Sequence, residues 1–202
     1  MIGSLVRWFA NGSHRSGAQS DADNFTRTGV DKGLQPFRDR PMARHAIERL
    51  APQVSALLVN ANRNLERYRS FGWPVVSDAV SGFAGPLAGL HAGMRAARTR
   101  YVVTVPCDSP FLPLDLVARL AAALASTPGA RLAVARTGAQ AHPVFALVER
   151  ALVEDLEAFL ASGGRKIDAW YESLGVVEVD FEDEAAFRNI NTPQDLREQE
   201  PE

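Results

Sequence analysis

Short apolar runs of four to six residues alternate with longer stretches of helical period along most of the chain. Residues 101–105 are the clearest run. They are too short for a helix and are bounded by Pro106, so they read as a strand buried on both faces. Residues 56–60, 74–77, 131–135, 144–148 and 176–181 read as further strands. Between them, 41–50, 64–71, a stretch entered from the Gly/Pro loop 82–89 and running to about Arg98, 114–125, 149–160 and 167–174 carry helical patterns. Met42, Ala46, Ile47 and Leu50 make one apolar face, and Pro41 fits the first turn of that helix. Gly72, the Thr127-Pro-Gly129 run and the Gly163-Gly164 pair punctuate helix ends, and residues 138–143 read as a turn between two strands. Thr192 caps a last helix with Pro193 at its first position. Strands alternating with helices predict an α/β fold: a Rossmann-like, doubly wound, mostly parallel sheet in one domain over 27–202.

Residues 1–26 do not share this rhythm. Residues 4–10 have some strand character, but 11–23 are polar, rich in Ser, Gly and Asp, and show no apolar period. The segment is expected to be atypical and poorly ordered.

Composition narrows the function classes. A net charge of -2 offers no basic field for a nucleic-acid backbone, so phosphate recognition must rest on a few placed groups. A single cysteine, Cys107, excludes an internal disulfide and a cysteine-based zinc site and suits a reducing compartment. No apolar run reaches membrane-spanning length, and the expected location is the cytoplasm.

The candidate chemistry lies where strands end. Asp108 follows the 101–105 strand, Asn60 closes the 56–60 strand, and Asp78 follows the 74–77 strand. If these strands are parallel, all three residues share the rim where open α/β sheets bind ligands. Singly, each is explained as a turn former or helix cap; together, two acids and an amide form a plausible nucleotide and metal site. Lys32, between the glycines of Gly29-Val-Asp-Lys-Gly33, is either a solvated turn lysine or a point charge for phosphate.

Six motifs occur in order: Gly29-Val-Asp-Lys-Gly-Leu34, Val59-Asn-Ala-Asn-Arg63, Gly85-Pro-Leu-Ala-Gly89, Pro106-Cys-Asp108, His142-Pro143 with Ala146-Leu147, and Asn189-Ile-Asn-Thr-Pro193. From about Arg27 to Leu196 the chain resembles the molybdenum cofactor guanylyltransferases. The resemblance implies a nucleotidyltransferase fold. It also implies transfer of GMP from GTP to the phosphate of molybdopterin, with Mg²⁺, releasing pyrophosphate. Carried over by motif, the nucleotide contacts fall on Lys32, Asn60, Asp78 and Asp108, with Lys32 and Asp108 catalytic and Asp108 the Mg²⁺ ligand. Asn191 is a possible substrate or second metal contact, or the residue that orders the turn before the last helix. His142 is expected to be positional or substrate-facing, and Arg165 and Lys166 are either solvated or near the phosphate of the pterin. GTP and molybdopterin are the implied partners, with molybdoenzymes or other cofactor-biosynthesis proteins beyond them; no nucleic acid or membrane is implied.

One departure stands out. The family opens with a strand, Leu-Ala-Gly-Gly and then Arg-Met-Gly, a loop whose backbone N–H groups wrap the triphosphate. Here Arg27-Thr28-Gly29 stands for its end, and Phe9-Ala-Asn-Gly12 is a poor match. Residues 1–26 are therefore read as a replaced segment, an out-of-frame or misassigned start, with the first strand and its glycines missing. Alternatives are a relative using CTP or activating a sugar phosphate, or a binding remnant without turnover.

Overall fold

The computed structural model describes residues 31–78, 85–188 and 190 together with the backbone of 4–9. The chain enters as strand β1 (Ser4–Phe9). After a single 3-10 turn at Lys32–Leu34 come the two short strands β2 (Pro36–Phe37) and β3 (Arg40–Pro41), then helix α1 (Met42–Leu50). Two short strands follow, β4 (Ala56–Leu57) and β5 (Val59–Asn60), then α2 (Leu65–Arg69), β6 (Val75–Val76) and α3 (Pro86–Ala96). Strand β7 (Tyr101–Pro106) leads into α4 (Leu116–Ser126) and the hairpin β8 (Leu132–Thr137) and β9 (Gln140–Glu149). The described chain is completed by α5 (Val153–Ala161), α6 (Ile167–Tyr171) and β10 (Val176–Asp180), with a 3-10 turn at Glu184–Phe187.

The main sheet runs β10-β8-β9-β7-β1-β5-β6, with β4 also paired to β1. Strand β9 is antiparallel to both β7 and β8, and the other described pairs of this sheet are parallel. Helices cover both faces because β7 alternates its side chains. Val103 and Val105 meet Ile47 and Leu50 of α1 and Leu116 and Leu120 of α4. Val102 faces the opposite cluster, with Leu90 and Met94 of α3, Leu156 of α5 and Trp170 of α6. Burying each of these large side chains contributes about 1.5–3 kcal/mol, which holds the helices on the sheet. Gln53 ties two helices of the first layer: its amide donates to Arg49 O and Pro113 O at 2.9 Å, and its Oε1 accepts from Val117 N at 3.0 Å. It thereby satisfies an amide in the first turn of α4, where Asp115 makes no side-chain cap.

The structure corrects two expectations. The sheet does not lack its central strand. Ser4–Phe9 lies between β7 on one side and β4 and β5 on the other, in parallel register Leu5↔Val102 and Leu5↔Ala56. A strand of this length is recognised by its neighbours rather than by local propensity, so the sequence pattern understated it. Residues 1–3 and 10–30, including Arg27-Thr28-Gly29, lie outside the described residues, as does the helix expected after Thr192. The second correction concerns the turn expected over 138–143. The β8–β9 turn is only Gly138-Ala139, with Gly138 at φ 54, and His142 and Pro143 are inside β9. They lie there because the register slips between Val134↔Ala146 and Ala135↔His142, leaving 143–145 as a bulge in which a proline needs no ladder N–H.

Candidate functional site

The carboxyl ends of the parallel strands line up in one transverse row. Phe9 is in register with Pro106 on one side and Asn60 on the other, and Asn60 is in register with Val76. Asn60 therefore sits in the row, and Asp78 and Asp108 each lie two residues beyond it. The structure brings these three predicted residues to one rim. Asn191 lies outside the described residues, but the amide of Ile190 donates to Asp108 O at 2.9 Å, so the chain returns to this rim one residue before it.

Asn60 and Asp78 are directly bonded. Asn60 Nδ2 donates to Asp78 Oδ1 at 3.1 Å and lies 3.2 Å from Val76 O. Asn62, unassigned by the sequence reading, completes the group. Its Nδ2 donates to Asp78 Oδ2 at 2.8 Å, and its Oδ1 accepts from Asp78 N at 2.9 Å. The two asparagines point the same way because they are two residues apart at the end of a strand. That spacing in Asn60-Ala-Asn62 was the available signal. The carboxylate of Asp78 is thus aimed by amides on both of its oxygens.

Asp108 is of a different kind. It is only 2% exposed, and burial pushes its carboxyl above the usual range, opposed by the nearby charge of Lys32 and by its own backbone amide. Lys32 belongs to the 3-10 turn that lies against Cys107, just past the end of β7. Gly33 is buried there because a Cβ would lie 2.6 Å from the hydroxyl of Tyr68 and 3.2 Å from the Sγ of Cys107. Cys107 is a buried thiol whose pKa is raised first by burial and then by Asp108 and Asp31, as suits a packing residue and not a nucleophile. Among the described residues no three His, Cys, Asp or Glu side chains form a metal cage.

The remaining candidates separate. His142 is half-buried, stacked on Phe187 with ring centroids 4.7 Å apart, and its Nε2 lies 2.7 Å from Thr137 Oγ1. Burial lowers its pKa, opposed by Glu184, so it is held neutral as a positioned ring. The guanidinium of Arg165 donates to Leu160 O at 2.9 Å and Gly164 O at 2.6 Å, so it serves the carboxyl end of α5. Lys166 is exposed at the start of α6.

The contact at Gly33 makes a direct expectation. Gly33→Ala forces a methyl group into the Tyr68 hydroxyl and should destabilise the protein by about 1–3 kcal/mol, the range for overpacking. Urea unfolding measures it. An unchanged midpoint would show that the Lys32 turn has room to move.

Residues 22–176 match the model of the MobA-like NTP transferase domain. The chain is 56% identical to the molybdenum cofactor guanylyltransferase of Ralstonia nicotianae, over 84% of this chain and 87% of that protein. It is 53% identical to the molybdenum cofactor guanylyltransferase of Cupriavidus pinatubonensis, over the same shares of the two chains. The fold is similar to that of molybdopterin-guanine dinucleotide biosynthesis protein A from Archaeoglobus fulgidus. The TM-score is 0.74 at 21% identity, covering 96% of this chain and 95% of that one. It is also similar to CMP:2-keto-3-deoxy-manno-octonic acid synthetase, with a TM-score of 0.72 at 12% identity over 97% and 96% of the two chains. With a family model over most of its length and relatives more than half identical to it, the chain belongs to the molybdenum cofactor guanylyltransferases of the MobA-like NTP transferase family.

Proposed function

We propose that the chain transfers the GMP moiety of GTP to the phosphate of molybdopterin, releasing pyrophosphate, with Mg²⁺ held at Asp108. The observation that carries this reading is the pairing at the rim of a buried carboxylate, Asp108, with the charge of Lys32, in a chain 56% identical to a molybdenum cofactor guanylyltransferase. A single buried carboxylate fits Mg²⁺, which commonly takes one or two protein carboxylates and completes its shell from substrate phosphates and water. When bound, the ion neutralises charge on the reacting phosphates.

The rest falls to the chain. An oxygen of the acceptor phosphate attacks the α-phosphorus of GTP, the bond from that phosphorus to the α,β-bridging oxygen breaks, and pyrophosphate leaves. The nucleophile is already an anion, so no general base is needed. Lys32 offsets the charge brought together by the two phosphates. Asp78, an acceptor aimed by Asn60 and Asn62, takes donor groups of the nucleoside. Asn191 is a further substrate or metal contact in the same proposal. Among the described residues no helix is long and apolar enough to cross a membrane; a cytoplasmic setting is part of the proposal.

Thermal shift with GTP, CTP and ATP, each with Mg²⁺, tests it. GTP should raise the melting temperature most. Equal shifts would remove the guanine assignment, a larger shift with CTP would favour a relative using that nucleotide, and no shift would mark a remnant that has lost nucleotide binding.

A further inference from the structure

We propose that Tyr68 and Asn64 are positioning residues for Lys32, acting through the carboxylate of Asp31. The proposal rests on the nucleotide-site reading above. Asp31 occupies the capping position of the Lys32–Leu34 turn, where an aspartate normally accepts from its own turn; it makes no such bond. Its carboxylate instead accepts from Tyr68 at 2.6 Å on Oδ1 and from Asn64 Nδ2 at 2.9 Å on Oδ2. Asn64 shows the same departure. It caps α2 without a side-chain bond to that helix, holds a left-handed backbone at φ 51, and turns its amide onto a residue 33 positions earlier. Two capping residues have each given up the local bond their type favours in order to meet each other. Departures of that kind from local preference concentrate at functional sites.

The geometry gives this bond a purpose. Lys32–Leu34 is a single turn beside α1, closed by Leu34 N donating to Asp31 O and Gln35 N donating to Lys32 O, both at 3.1 Å. Its place on the sheet is set from outside. Tyr68 is fully buried, and its hydroxyl touches both sides of Lys32: it donates to Asp31 and abuts the Cα face of Gly33. Gly33 in turn lies against Cys107, the neighbour of Asp108. Since α2 follows the strand that carries Asn60, the clamp joins the Lys32 turn to the β5 side of the rim as well as to β7. Asp31 thus holds the turn to α2 through both of its carboxylate oxygens.

The test is a double-mutant cycle read by calorimetric binding of GTP and of guanosine, with Mg²⁺, to wild type, Tyr68→Phe, Lys32→Ala and the double variant. Tyr68→Phe keeps the ring and removes only the hydroxyl. It should weaken GTP roughly tenfold, the scale of one hydrogen bond to a charged group, and leave guanosine unchanged. In the Lys32→Ala background it should cost nothing further. Equal losses for GTP and guanosine, additive losses in the double variant, or no loss would overturn the clamp. A wild type that prefers CTP overturns only the guanine reading, and the cycle is then run with CTP and cytidine. A wild type that binds no nucleotide overturns both.

Discussion

Asp108→Asn should abolish transfer while leaving the metal-free protein at least as stable as the parent. The substitution keeps the size of the side chain and removes the charge proposed to hold Mg²⁺ between phosphates, so activity should fall by roughly a thousandfold or more. Stability should move the other way. Asp108 is almost fully buried, and its carboxyl is pushed up by desolvation more than Lys32 and its own amide pull it down. A carboxyl whose folded pKa lies above its unfolded value binds more protons in the folded state. Its contribution is therefore present below the unfolded pKa and lost as pH rises through the folded one. At neutral pH, above the unfolded pKa, burying Asp108 is a cost to the fold, and the asparagine removes that cost. Urea midpoints between pH 4 and 7, with and without Mg²⁺, should show the parent losing stability relative to the variant as pH rises, and Mg²⁺ restoring the parent alone. Activity surviving in Asp108→Asn at ordinary Mg²⁺ would make Asp108 a turn residue and remove the proposed metal site.

Val6→Pro should unfold the protein or leave it without a cooperative transition. Val6 is in register with Val103 of β7 on one side and Leu57 of β4 on the other, so β1 has no free edge at this position. A proline removes a ladder donor from the middle of the sheet and leaves a buried carbonyl unpaired, a cost of about 1–3 kcal/mol before any clash of the ring with the ladder, against a total stability of about 5–15 kcal/mol for a typical domain. Because Phe9 closes the row that contains Asn60 and Pro106, disturbing β1 also separates the two halves of the rim. Thermal and urea unfolding followed by circular dichroism give the answer. A variant with the parent's midpoint and slope would place residues 4–9 outside the sheet and return them to the atypical segment the sequence suggests.

Much of the candidate site's placement was legible because it follows from one rule applied three times. Asn60, Asp78 and Asp108 each stand at or just past the end of a short apolar run, and parallel pairing puts such ends on one rim. What the rule could not supply was how those groups are held. Asn62, Asp31, Asn64 and Tyr68 act through bonds to residues 16, 33 or 37 positions away, which leave no periodic trace. The turn expected over 138–143 failed for a related reason. His142-Pro143 looks like a break, but a bulge paid for by the register slip against β8 lets it continue the strand.

By itself the sequence determined the alternation of strands and helices, the apolar face of α1 and the strand ends that carry the candidate residues, because periodicity and turn residues are local properties. Only the tertiary structure decided that Ser4–Phe9 is the central strand, since six mixed residues become a strand only when ladders on both sides satisfy their backbone. Only the tertiary structure, too, set the Lys32 turn against Tyr68, Cys107 and Asp108. Those contacts join segments far apart in the chain, and burial is what gives the Asp108 carboxyl its raised affinity for a proton.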